Sequence, residues 1–186
     1  CLVVLGHRLI ESAPVLLAAN REELFARRGL PPRLEPGSPR VFCGRDPAAG
    51  GTWLGVNEFG LVVAVTNRHD RPPPPSPRSR GLLCRDLLNL PRAEDVAEAA
   101  LAELERSPYA GVNVLAADAA GAWVVHAGQS VRAASLAPGL HVLTNGDVDD
   151  PRDVRCALAR ERLGERFRDE DEFLARAADV CRTGPD

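Results

Sequence analysis

The sequence begins with a cysteine, which puts a thiol and an α-amine on one residue. Groups of both kinds titrate near neutrality when unperturbed. A neutral α-amine can take the thiol proton directly or through a water, so nucleophile and base are joined in one residue. Acyl transfer by such a thiolate also needs donors for the developing oxyanion, and a side-chain amide can supply one. Three asparagines stand where apolar runs end: Asn20 after residues 14–19, Asn67 after 61–66 and Asn145 after 141–144. Strand ends present polar groups from a rigid base, although asparagine is equally a turn residue. Asn20-Arg21-Glu22-Glu23 adds a guanidinium and two carboxylates at one such end. Arg21 can clamp a carboxylate or orient Cys1 there; a surface charge cluster is the alternative reading.

These residues need elements to hold them. Residues 2–6 and 14–19 are short apolar runs around a polar turn centred on residues 7–12, which predicts a hairpin with Cys1 at its edge. Residues 52–56 and 61–66 flank Asn57-Glu58-Phe59-Gly60, and residues 112–117 and 122–127 flank Asp118-Ala119-Ala120-Gly121. Recurring strand–turn–strand units favour an antiparallel sheet. Helical spacing follows at 93–106, with Val96, Ala100, Leu101 and Leu104 on one face. Asp150-Pro151 predicts an N-cap followed by proline, opening a helix to about Arg166. Residues 169–182 repeat the pattern with Phe173, Leu174, Ala177 and Val180. Hairpins with amphipathic helices define an α+β class. Trp53 and Trp123 fall in strands and Phe173 on a helix face, where all three read as core. Between Arg71 and Arg80, five of ten residues are proline, which predicts an exposed loop at about 70–80. Arg68, Arg71, Arg78, Arg80 and Arg85 outnumber Asp70 and Asp86 around it. The segment is either a solvated loop or a lid that recognises an anionic group.

With 186 residues, 45% of them apolar, and a net charge of −3, the chain suits one soluble domain over residues 1–186. Disorder throughout is excluded, and no apolar run approaches the roughly 18 residues of a membrane helix. Near-neutral charge argues against general nucleic-acid binding. Five cysteines occur without a CxxC pair or framework spacing, so a zinc site and a disulfide scaffold are not expected and a reducing cytosol is. All 23 basic residues are arginine, which reads as coding bias. Methionine is absent, so Cys1 is expected to be exposed by processing or by trimming; a signal peptide can leave the same front.

Taken in order, Cys1, Ala18-Ala19-Asn20-Arg21-Glu22-Glu23, Gly50-Gly51-Thr52-Trp53-Leu54-Gly55, Val65-Thr66-Asn67, Tyr109-Ala110-Gly111-Val112-Asn113 and Pro138-Gly139…Leu143-Thr144-Asn145 resemble the NRDE proteins. These are also called Transport and Golgi organisation 2 proteins. One position departs: the family's aspartate is Glu22 here. The resemblance implies kinship with N-terminal nucleophile hydrolases, an αββα sandwich of antiparallel sheets flanked by helices, and removal of an initiator methionine. It extends to penicillin V acylases and bile-salt hydrolases, which cleave amides with a terminal cysteine. Val56-Asn57-Glu58-Phe59-Gly60-Leu61 followed by Thr66-Asn67 is similar to their turn and oxyanion asparagine, and Leu143-Thr144-Asn145 to their second asparagine. Their arginine has no match in register, because Ala19 stands there and Arg21 two residues later. The family typically continues into further strands. The end at Thr183-Gly184-Pro185-Asp186 therefore suggests missing C-terminal strands or a second chain that completes the fold.

The expected function is hydrolysis of an amide or thioester of an acylated small molecule. Cys1, Asn67, Asn145 and Arg21 are the expected catalytic residues; Asn20, Glu22, Arg68 and Trp53 orient or bind. No metal or cofactor is required. The alternative is a non-enzymatic carrier of haem or of an acylated or lipid ligand. His7, His69 and His126 are candidate haem contacts, without a CxxCH site. No nucleic acid partner is expected, and a homo-oligomer is compatible with the sequence.

Overall fold

A computed structural model describes residues 1–24, 26–70 and 72–182. The chain opens with β1 (Leu2–Ile10), β2 (Ala13–Asn20), β3 (Leu30–Glu35), β4 (Val41–Arg45), β5 (Leu54–Asn57) and β6 (Val62–Asn67). Helices α1 (Arg80–Leu87) and α2 (Ala93–Arg106) follow, then β7 (Val112–Ala117), β8 (Ala122–Ala127), β9 (Val131–Leu136) and β10 (Gly139–Leu143). Helices α3 (Val154–Leu163) and α4 (Glu170–Arg182) complete the series. The result is the expected α+β class, with two antiparallel sheets and four helices among the described residues. Among the described residues, no helix is long and apolar enough to cross a membrane.

Two compact units divide the chain. The first takes Cys1–Glu22 and Ala137–Asp186, the second Glu23–Leu136. In the first unit the sheet order is β10-β1-β2, with α4 packed on β2 and β1 and α3 on β10. Leu2, Val4, Leu16 and Val142 from the sheet meet Cys156, Ala159 and Leu163 of α3 and Phe173, Ala177 and Val180 of α4. The helical residues recur at three- and four-residue spacing, which gives each helix one apolar stripe. Gly6 makes room for the Phe173 ring, since a Cβ there would lie 2.8 Å from Cε2.

The second unit is a seven-stranded sheet in the order β3-β4-β5-β6-β7-β8-β9, with α2 packed on β7, β8 and β9 and α1 on β6. Every residue of β7 is buried, so the strand lacks the alternation of a half-exposed one, and Asn113 is its one polar member. Two polar side chains fasten the helices to the turns. Asp118 accepts from Ala120 and Gly121 in its own turn and from the Ala93 N–H at the start of α2. Asn57, 5% exposed, accepts from the Phe59 and Leu61 amides and donates to the Leu88 and Leu90 carbonyls beyond α1.

Several expectations are corrected. The first strand runs on to Ile10, because a bulge with Arg8 at φ +53° absorbs the polar residues; His7 is buried, and the turn narrows to Glu11 and Ser12. The third helix is capped by Asp153, whose carboxylate accepts from the Arg155 and Cys156 amides, while Asp150 instead binds Arg152. It stops at Leu163, where Gly164 takes φ +71°, short of Arg166. Trp53 precedes β5, which begins at Leu54. Of the proline-rich segment, Arg71 lies outside the described residues, as do Thr183, Gly184, Pro185 and Asp186. Residues 72–78 are mostly exposed, whereas Ser79 caps α1 and Arg80 opens it.

Asn57→Asp is nearly isosteric but turns an oxygen toward the Leu88 and Leu90 carbonyls. Loss of two buried donors is expected to cost about 2–4 kcal/mol, read as a lowered urea midpoint with an unchanged slope. Asn57→Ala should cost a similar amount.

Candidate functional site

Strand register gathers the candidates of the first unit. The Val3–Leu143 pair is the last of the β1–β10 ladder. Cys1 lies two residues back from Val3 and Asn145 two residues on from Leu143, so both stand at the same end of the sheet. On the other side of β1, Leu2 pairs with Asn20, which brings Asn20, Arg21 and Glu22 to that end too. The Asn20 side chain secures the junction: its Oδ1 accepts from the Leu2 amide at 2.7 Å, and its Nδ2 donates to the Cys181 carbonyl at 3.0 Å. Asn145 and Arg21 are each half-buried.

Glu22 grips Cys1 at both reactive atoms. Its Oε2 accepts from the α-ammonium at 2.8 Å, and its backbone N–H points to Cys1 Sγ at 3.4 Å. The thiol in turn lies 3.8 Å from the Glu22 carbonyl oxygen. Cys1 is 16% exposed, against 40% for Glu22. A second cation completes the arrangement: Arg155, in the first turn of α3, donates from Nη1 to Oε2 at 3.1 Å and from Nη2 to Oε1. Asn20 Nδ2 approaches Oε1 at 3.3 Å. Burial pushes the Glu22 carboxyl upward, but hydrogen bonds from the α-ammonium and Arg155 outweigh it and hold the group below the usual glutamate range. Sequence reading found Glu22 but missed Arg155, which is separated from it by 133 positions.

Arg155 is placed by the helix cap. Asp153 caps α3 and also accepts from Thr144 Oγ1, so the residue beside Asn145 is tied to the helix that carries Arg155. A second clasp closes the same loop. Asp149 Oδ1 accepts from the Val142 amide at 2.8 Å and from Arg160 Nη1 at 2.8 Å, while Oδ2 lies 2.7 Å from His141 Nδ1. The Asp149 amide returns to the Val142 carbonyl at 2.9 Å. His141 Nε2 lies 2.8 Å from the Ala137 carbonyl oxygen. Both imidazole nitrogens thus face acceptors, which requires the doubly protonated ring. Burial lowers the His141 pKa, but the hydrogen bonds to Asp149 and Ala137 prevail and leave it above the usual imidazole value. Burial likewise raises the Asp149 carboxyl, and its hydrogen bonds with His141 and Val142 bring it net below the usual range.

Asn67, Arg68 and Trp53 belong to the second unit. Asn67 ends β6 opposite Val112. Arg68 donates from Nε to Asp70 Oδ2 at 2.7 Å and from Nη1 to Asn113 Oδ1 at 3.2 Å. Asn113, fully buried, also donates to Thr66 Oγ1 and faces His126 Nδ1 at 2.7 Å. Arg68 Nη1 also lies 3.5 Å from that imidazole nitrogen, so Arg68, Asn113 and His126 form one cluster. The Trp53 ring lies over Gly44, where a Cβ would come within 2.9 Å of it. Among the described residues, no cluster of histidine, cysteine, aspartate and glutamate is arranged to hold a metal ion.

This α+β arrangement is shared with solved hydrolases. The Caenorhabditis elegans N-acylethanolamine-hydrolyzing acid amidase ortholog is similar at a TM-score of 0.70 and 15% identity, covering 100% of this chain and 87% of that one. Penicillin V acylase from Agrobacterium tumefaciens is similar at a TM-score of 0.50 and 15% identity, covering 97% of this chain and 62% of the acylase. These likenesses define an N-terminal nucleophile hydrolase-like fold. The chain belongs to the Transport and Golgi organisation 2 family, whose profile matches residues 1–182. The Mus musculus Transport and Golgi organization 2 homolog is 29% identical over 150 residues, 76% of this chain and 54% of the relative. The chain spans about half the length of that curated relative.

Two titrations check the electrostatics. Because the Glu22 carboxyl is depressed, its pairing with Cys1 and Arg155 is complete above the ordinary glutamate pKa of about 4.3 and is lost as pH falls through the lower folded value. Carboxyl NMR should place its midpoint below that of exposed glutamates, and Arg155→Met should move it up. The His141 clasp has the opposite sign. It is complete below the ordinary imidazole pKa of about 6.5 and is lost as pH rises through the raised folded value. Amide protection factors across residues 143–149, which divide out the intrinsic base-catalysed exchange rate, should fall over that rise, and His141→Ala should remove that fall.

Proposed function

We propose that the chain is a cysteine hydrolase of the N-terminal nucleophile class, cleaving an amide or thioester of an acylated small molecule. The observation that carries this reading is the grip of Glu22 on the α-nitrogen and the thiol of Cys1, at the sheet end shared with Asn145. In a chain that begins at Cys1, transfer of the thiol proton to the α-amine leaves a thiolate beside an ammonium. Glu22 stabilises that ammonium by a charge-assisted hydrogen bond. The thiolate attacks the acyl carbon, and the Asn145 amide donates to the oxyanion of the tetrahedral intermediate. The ammonium then protonates the leaving amine or thiol, and the freed amine serves as base for the water that cleaves the thioester. The resemblance assigns a second oxyanion donor to Asn67. The likeness to an N-acylethanolamine-hydrolyzing acid amidase and to a penicillin V acylase favours the same substrate class. All five cysteines are free thiols, which suits a reducing compartment such as the cytosol.

The test is a panel of N-acyl amides and acyl-CoA thioesters. Cys1→Ala should abolish turnover, and Asn145→Ala should lower kcat by about 10²–10³, with Asn67→Ala compared beside it. Turnover unchanged in both Cys1→Ala and Cys1→Ser would overturn the proposal. So would tight haem or acyl-CoA binding by wild type and Cys1→Ala alike with no product formed, the signature of a carrier.

A further inference from the structure

The acyl-enzyme of that reading carries a hazard inside one residue. A thioester on Cys1 Sγ can be reached by the α-nitrogen of the same residue through a five-membered ring. The lone pair of a neutral amine attacks the thioester carbon; the new C–N bond forms as the C–S bond breaks, and the proton shed by nitrogen ends on sulfur. The product is an N-acyl cysteine. Its thiol has returned, but its nitrogen is now an amide and can no longer act as a base. One such event ends catalysis on that molecule. The danger peaks after the leaving group departs, when the amine has given up its proton.

We propose that Glu22, braced by Arg155, protects Cys1 from this transfer of the acyl group from sulfur to nitrogen. The inference rests on the nucleophile reading above. An ammonium has no lone pair to attack with, and the Glu22 carboxylate holds the nitrogen at 2.8 Å through a charge-assisted hydrogen bond. When the amine is neutral, an N–H directed at Oε2 keeps the nitrogen tethered, while the Glu22 backbone N–H at 3.4 Å holds the sulfur separately. An isolated exposed ion pair would hold little. This carboxylate is instead fixed at both oxygens, by Arg155 on Oε1 and Oε2 and by Asn20 on Oε1. Arg155 is itself anchored by the capped end of α3. Glu22 and Arg155 are therefore positioning residues for the nitrogen of Cys1, and what they govern is the survival of the enzyme between turnovers.

The experiment needs no knowledge of the natural substrate. Full-length protein and a synthetic peptide of residues 1–8 are each exposed to a short-chain acyl thioester of a simple thiol at neutral pH. Tryptic peptides ending at Arg8 are then treated with hydroxylamine, which strips S-acyl groups and leaves N-acyl groups, and weighed by mass spectrometry. The peptide gives the unprotected rate of N-acylation. Wild type should be slower by at least about tenfold, the effect of one charge-assisted hydrogen bond. Glu22→Gln should approach the peptide rate, Arg155→Met should fall between, and Glu22→Asp should recover part of the protection. Wild type reacting as fast as the peptide, or Glu22→Gln no faster than wild type, overturns the proposal. Should circular dichroism show Glu22→Gln unfolded, Arg155→Met decides, and a wild-type rate there overturns it equally. The nucleophile reading is scored separately, by free acid released from the thioester in wild type and not in Cys1→Ala.

Discussion

A carboxylate shared by two cations organises the candidate site: Glu22 lies between the α-ammonium of Cys1 and the guanidinium of Arg155. Three separate segments meet at those few atoms, namely the start of β1, the end of β2 and the first turn of α3. None of the individual contacts is strong, because Glu22 and Arg155 are partly exposed and water screens them. Their effect comes from convergence. The α3 cap, Asp153, reaches back to Thr144, so the loop bearing Asn145 is referenced to the same helix that positions Arg155. Loss of the carboxylate would release the nitrogen of Cys1 and leave Arg155 without the partner that orients it.

The scaffold beneath is conventional in its energetics. Each unit has its own apolar core, one around Phe173 and Val142 and the other around Leu88, Val96 and Val114. Two polar side chains buried beside them are held by the backbone around them: Asn57 meets four backbone groups and Asp118 at least three. Such residues hold turns and helix ends at fixed positions, because leaving any partner unsatisfied costs more than the bond itself contributes. Around Glu22 the balance differs. There, partial exposure keeps the groups titratable and accessible, as chemistry requires.

The elements most legible in the sequence were those whose local signals agree. Residues 93–106, 112–117 and 122–127 combine a clear apolar period with suitable flanks, and α2, β7 and β8 occupy those spans. Strands β3 and β9 were not legible. Pro31 and Pro32 argue against a strand, yet β3 is an edge strand whose ladder shifts between Leu30 and Arg33, where a missing donor is tolerated. The residues of β9 are largely exposed at the other edge, so no alternation marks them. Asp150 and Asp153 both precede the third helix; the choice between them depends on where the chain turns, which composition does not encode. Within the site, Glu22 could be read from its place at a strand end. Arg155, His141 and Asp149 could not, because their roles arise only when the two ends of the sequence share one sheet.

The central claim is that an acyl group passes through the thiol of Cys1. Stopping turnover of an N-acyl amide with acid in the first moments, and weighing the tryptic peptide of residues 1–8, tests it most directly. The account predicts a peptide heavier by one acyl group, restored to its free mass by hydroxylamine. A peptide that stays unmodified while product accumulates would contradict it.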